Sequence, residues 1–166
     1  MKLVLGGLNG EYLLDIVESA AAVTERVDAA VAYARESSLL FDWCWDKRVP
    51  LRFWGRFDDS VPVSVPLLKL FLDRRSPSFV CRLVRHLHAK VIWWRGHGAY
   101  VGSANITQKA WYNNIESGLF LTEAELTSSG QADDIERLFR AVDEHSASLT
   151  QELYNAIEAR SRQLQA

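Results

Sequence analysis

His88-Ala89-Lys90, then Gly102-Ser103-Ala104-Asn105 and finally Glu116 are the residues in this chain whose types and spacing best suit them to chemistry. In an extended strand side-chain direction repeats every second residue, so His88 and Lys90 point to one face and set an imidazole beside an ammonium. Ser103 and Asn105, again two apart, project a hydroxyl and an amide from a turn, and Gly102 ahead of them allows a close backbone approach. Such a set can hold a phosphate. Lys90 supplies a point charge, Ser103 and Asn105 donate hydrogen bonds, and His88 serves as nucleophile or proton carrier. A carboxylate such as Glu116 could accept from His88 Nδ1–H and fix the tautomer, leaving Nε2 free to attack. Each group alone has an ordinary explanation, a strand histidine or a polar turn; their joint spacing is what points to catalysis. His86-x-His88 lacks a cysteine or carboxylate at ligand spacing, so no metal site and no cofactor is expected.

These residues need elements to place them. Apolar spacing predicts a short strand at 2–5, a helix over 11–23 with Asn9 as a possible cap, a buried strand at 27–34 and a short helix over 39–45. A strand follows at 51–57. All four prolines fall between Pro50 and Pro77, which makes that stretch loop-rich, with one short helix near 67–73. From Ser78 the pattern turns strand-dense, at 79–84, 89–94 and 99–102, followed by a helical turn at 107–111 and a strand at 115–122. Beyond residue 130 the apolar spacing is helical, through Ile135, Leu138, Phe139 and Val142 and again from Leu149 to Leu164. This reads as one long helix or two, with Ser148 and Gln151 placed like a capping box. The expected fold is α/β: a mixed sheet flanked by helices over residues 1–130, with a C-terminal amphipathic helical extension, 131–166, packing on the domain or a dimer partner or leading towards a further domain or partner protein.

Composition bounds the rest. The 166 residues suffice for one domain, and 48% hydrophobic with 24% charged residues excludes a disordered chain. No apolar run reaches membrane-span length, and MKLVLGG is too short in its apolar part for a secretory signal, so a cytoplasmic protein is expected. Cys44 and Cys81 are too few for a disulfide framework and read as buried thiols. The net charge of −2 argues against a nucleic-acid partner. Its distribution argues the other way. Seven of the chain's 19 basic residues and none of its 21 acidic ones fall between Arg74 and Ile115, as expected of a segment that receives an anion.

HAKVIWWRGHGAYVGSAN, followed by NIESGLF, resembles the hallmark of the phospholipase D superfamily: His-x-Lys, four residues, Asp, six residues, Gly-Ser-x-Asn, and a later strand bearing Glu. The spacing from His88 to Asn105 matches without a gap, and the resemblance extends over about residues 10–125. One position departs from it, since Arg95 stands where the family has Asp. The resemblance implies a phospholipase D-like fold and phosphodiester chemistry. His88, Lys90, Asn105 and Glu116 would be the catalytic set, and Gly102, Ser103, Arg95 and Lys109 substrate contacts; Arg95 could equally be a replacement salt-bridge partner. The superfamily builds one site from two motif copies, and this chain holds one, which implies a homodimer with a composite site. The acid-free segment favours nucleic acid, DNA before RNA, over a membrane. The alternatives are a lipid phosphodiesterase using the same groups and a catalytically silent nucleic-acid-binding module.

Overall fold

In a computed structural model that describes residues 1–166, eight strands form one mixed sheet between two helical layers. The strands are β1 (Lys2–Val4), β2 (Arg26–Val31), β3 (Leu51–Arg56), β4 (Phe79–Val84), β5 (Lys90–Arg95), β6 (Gly98–Gly102), β7 (Gly118–Thr122) and β8 (Ser146–Ser148). Their order is β1-β7-β6-β5-β2-β3-β4-β8. β2, β3 and β4 run parallel, while β5, β6, β7 and β1 continue the sheet antiparallel on one side and β8 on the other. The parallel strands are nearly continuous in apolar residues because both faces are covered.

Alternation divides the side chains between two cores. Val27, Ala29, Phe53, Ile92, Trp94 and Tyr100 face the larger core, covered by α1 (Leu13–Ala20), α2 (Phe41–Lys47), α3 (Val65–Asp73) and α6 (Gln151–Gln165). Ala30, Trp54, Val91, Trp93 and Ala99 face the smaller one, covered by α4 (Glu123–Ser128) and α5 (Gln131–Glu144). The segment beyond residue 130 is therefore part of the same body: β8 pairs with β4, and Phe139, Val142, Tyr154 and Ile157 are core residues. The expected single domain of mixed sheet and flanking helices is what the chain forms.

Several local expectations are corrected. Asn9 does not cap α1, whose N-cap is Tyr12; its carboxamide oxygen instead accepts the Leu5 and Glu11 amides and ties the loop between them. Beyond residue 130 the chain forms two helices, the second of the two expected alternatives, with the unexpected short strand β8 between them. Thr150, not Ser148, caps the last helix, its hydroxyl accepting the Leu153 amide. The strand expected from Ile115 starts only at Gly118, because residues 115–117, which carry Glu116, are irregular.

Candidate active site

The sheet brings one end of several strands together. Lys90 opens β5 opposite Val31, the last residue of β2. Val91 pairs with Val101, which sets the end of β6 beside the start of β5, and Gly102 at the end of β6 pairs with Gly118 at the start of β7. The carboxyl ends of β2 and β6 thus meet the amino ends of β5 and β7, and the three motif segments share one rim. Ligands of α/β sheets bind at such strand ends.

His88 lies two residues before β5, on irregular backbone, and is exposed. Three consecutive carbonyls around it are held: Arg56 Nη1 donates to Leu87 O at 3.4 Å, Lys90 Nζ to His88 O at 3.0 Å, and the Ala32 amide to Ala89 O at 3.1 Å. The imidazole itself makes no hydrogen bond within the chain, so both its nitrogens are available. Burial pushes the Lys90 ammonium below its usual pKa; the Glu116 carboxylate opposes that shift and the Arg56 charge adds to it.

Asn105 is fixed through its acceptor. The Tyr33 amide donates to Asn105 Oδ1 at 3.2 Å, and the chain beyond it is locked to the end of β2 by Ile106 N–Tyr33 O and Arg35 N–Ile106 O, each 3.0 Å. The carboxamide NH2 remains as a donor directed by a rigid segment, the arrangement an anion site requires.

Three assigned roles change. Ser103 is no free donor: its hydroxyl donates to Glu116 Oε2 at 2.7 Å and accepts the Ser117 amide at 3.0 Å. Glu116 is thus bonded to Ser103, and no hydrogen bond joins it to His88. Gly102 makes room for the protein rather than for a ligand. A Cβ there would lie 2.6 Å from Gly118 Cα and against the Tyr100 hydroxyl, so the Gly102–Gly118 pair is what lets two strands close over a buried tyrosine. Lys109 is exposed at the start of the π-helical turn Lys109–Asn113 and has no polar contact with the other site residues.

Arg95 is corrected outright as a substrate contact. It sits at the opposite end of β5 from Lys90, with Nε 2.6 Å from Asp28 Oδ2, a second bond to Glu136 of α5 and its guanidinium 4.0 Å from the Trp93 ring. Asp28, on central β2, is fully buried and also binds Arg52 at 2.7 and 2.8 Å. Burial would raise the Asp28 carboxyl, but Arg52 and Arg95 outweigh it and hold its pKa below the ordinary value. A basic residue at this motif position is therefore a structural ion-pair partner, remote from His88. The acid-free stretch is spent in the same way: Arg74 pairs with Asp42 and Arg82 with Asp143, leaving fewer free charges than the sequence suggests.

Sequence reasoning missed Arg56. Its side chain ends the β3 alternation and reaches the Leu87 carbonyl, but nothing in its spacing links it to a carbonyl 31 residues later, just ahead of the motif.

Comparison with known proteins agrees with this geometry. Residues 63–140 match the family model described as cardiolipin synthase, PLD-like domain, a span that includes every motif residue from His88 to Glu116. No curated protein sequence matches the chain. Nuc, a phospholipase D family member from Salmonella typhimurium, superposes with a TM-score of 0.69 at 11% identity, over 89% of this chain and 95% of its own. NucT from Helicobacter pylori gives 0.67 at 14%, over 89% and 97%. Phosphatidylserine synthase from Haemophilus influenzae gives 0.66 at 14%, over 97% of this chain but 45% of its own. TrmBL2, an archaeal chromatin protein with a DNA-binding mode of its own, gives 0.53 at 13%, over 84% and 52%. Motif, family match and fold coincide on the same residues: the chain is similar to the PLD-like domain family over residues 63–140 and shares the fold of Nuc and NucT.

Proposed function

We propose that the protein is a metal-independent nuclease that hydrolyses DNA or RNA phosphodiester bonds through a phosphohistidine at a homodimer interface. The observation that carries this reading is the single rim where His88, Lys90 and the Asn105 amide converge. His88 has an unengaged imidazole, and Lys90 and Asn105 are the groups able to neutralise and bond phosphate oxygens. His88 Nε2 attacks phosphorus, an N–P bond forms and the P–O bond to the leaving group breaks. The corresponding histidine of a second copy protonates the departing oxygen, then takes a proton from the water that cleaves the N–P bond. Lys90 and the Asn105 amide stabilise the charge that develops on the equatorial oxygens. No step calls for a metal.

Two features support pairing of half-sites. None of the principal cavities is lined by His88, Lys90 or Asn105, so one chain presents them on an open surface. Val101 and Ile115, each next in sequence to a site residue, are 41% and 85% exposed, apolar surface that a second copy would cover. Nucleic acid is the favoured substrate. His88 is exposed at the rim, and no helix of the chain is long and apolar enough to cross a membrane. TrmBL2, which shares the fold, binds DNA. The family description and the phosphatidylserine synthase likeness favour a second reading, a lipid phosphodiester at the same groups, which release of a lipid head group would reveal. The nuclease reading expects plasmid cleavage to persist in EDTA and vanish in His88→Ala. Full activity in that variant contradicts it.

A further inference from the structure

The structure points to Arg56 as a positioning residue of this site, one that the His-x-Lys and Gly-Ser-x-Asn motifs do not contain. We infer that Arg56, oriented by Asp58, braces the His88 segment from one face of the sheet while Lys90 braces it from the other; the inference rests on the phosphodiesterase reading above.

The 87–89 segment is irregular, and an irregular segment holds its shape only if its polar groups find partners. Its three carbonyls are satisfied by three different elements: Leu87 O by Arg56 of β3, His88 O by the Lys90 ammonium and Ala89 O by the Ala32 amide. Strand alternation puts Arg56 on the face of Arg52 and Trp54, and Lys90 on that of Ile92 and Trp94. The two cations therefore grip successive peptide units from opposite sides, and the nucleophile lies between them. Arg56 is itself held. Its Nε donates to Asp58 Oδ2 at 2.6 Å, and Asp58 Oδ1 accepts the Ser60 amide at 2.8 Å and its hydroxyl at 2.5 Å. An arginine suits this role because its fork can bond a carboxylate and a carbonyl at once, which an ammonium at the end of a flexible stem does less well. The side chain is 26% exposed, so its charge is only partly screened from the rim. The charged groups that bear on Lys90 are Glu116 from the irregular segment 115–117 and Arg56 from β3.

The test uses the full chain, with Arg56→Met, which keeps an apolar stem, and Arg56→Lys, which keeps the charge. Nuclear magnetic resonance follows two signals that need no turnover: the Lys90 side-chain titration and the backbone 15N resonance of His88, whose peptide unit contains the Leu87 carbonyl. In Arg56→Met the Lys90 midpoint moves to higher pH by about half a unit, because a neighbouring positive charge is gone, and the His88 resonance shifts. In Arg56→Lys the midpoint returns towards wild type while the His88 resonance stays displaced. With a small chromogenic phosphodiester, Arg56→Met lowers kcat about tenfold and leaves KM within about twofold, the signature of a misplaced nucleophile. An unmoved Lys90 midpoint together with an unmoved His88 resonance overturns the inference, as does a rise in KM with kcat intact, which would mark Arg56 as a substrate contact. If the wild-type protein turns over no phosphodiester, the nuclease reading fails, while the two resonances still decide whether Arg56 positions the segment.

Discussion

Asn105 divides its carboxamide between two tasks, and the division can be tested. The oxygen accepts from the Tyr33 amide, and in the proposed mechanism the nitrogen bonds the substrate. Asn105→Asp keeps the acceptor, so thermal denaturation should stay close to wild type, whereas kcat/KM on a phosphodiester should fall at least about a hundredfold because a donor has become an anion facing an anion. A large loss of stability instead would show that the amide nitrogen serves the fold. Arg95 makes the opposite case. Arg95→Ala removes one partner of a fully buried carboxylate and leaves Asp28 to Arg52 and Arg26, so unfolding should become easier by about 3 kcal/mol; an unchanged melting curve would refute this. Residue types and their spacing made His88, Lys90 and Asn105 legible in the sequence. Partnerships were not legible. Asp28 lies 67 residues from Arg95, and no local pattern could say that this arginine serves a buried carboxylate rather than a phosphate, or that Ser103 would take the carboxylate expected to orient His88.

At the scale of elements, the strands that carry the site were visible because they are apolar and bounded by turns, while their polar edges were not. β8 is Ser-Ala-Ser, held by Arg82 donating to the Ser146 and Ser148 hydroxyls, and has no apolar signature to read. The junction of β6 and β7 rests on two facing glycines. Gly102→Ala should push the strands off Tyr100 and cost about 1–3 kcal/mol, as overpacking does, and should also displace Ser103 and with it Glu116; equal stability would mean that the strands have slack. The docking of α5 on the sheet depends on pH. Asp28 and Glu136 both have folded pKa values below their ordinary ones, in each case through arginine partners. Their contribution is complete above the unfolded carboxylate range and is lost as the pH falls through the folded values, so acid titration followed by tryptophan fluorescence should show destabilisation below about pH 4. Asp28→Asn should flatten that limb, and a limb of unchanged steepness would remove the network from the account.

For the whole molecule, a net charge of −2 is compatible with an anionic substrate because charge is placed locally. Three arginines of the acid-free stretch are neutralised by carboxylates from elsewhere in the chain, so what faces the rim is a small set, Lys90 and Arg56 against Glu116. One such set is half of what the proposed two-histidine mechanism needs. Specific activity should therefore fall on dilution as sedimentation shows the dimer dissociating, and activity independent of concentration in a monomer would contradict the composite site. In the proposed mechanism the chemistry resides in His88 and not in Arg95, the residue that departs from the His-x-Lys motif pattern. The most direct measurement compares wild type, His88→Ala and Arg95→Ala on plasmid DNA in EDTA, at a temperature where circular dichroism shows all three folded. The account predicts cleavage by wild type and Arg95→Ala and none by His88→Ala; cleavage by His88→Ala, or its loss in folded Arg95→Ala, would contradict it.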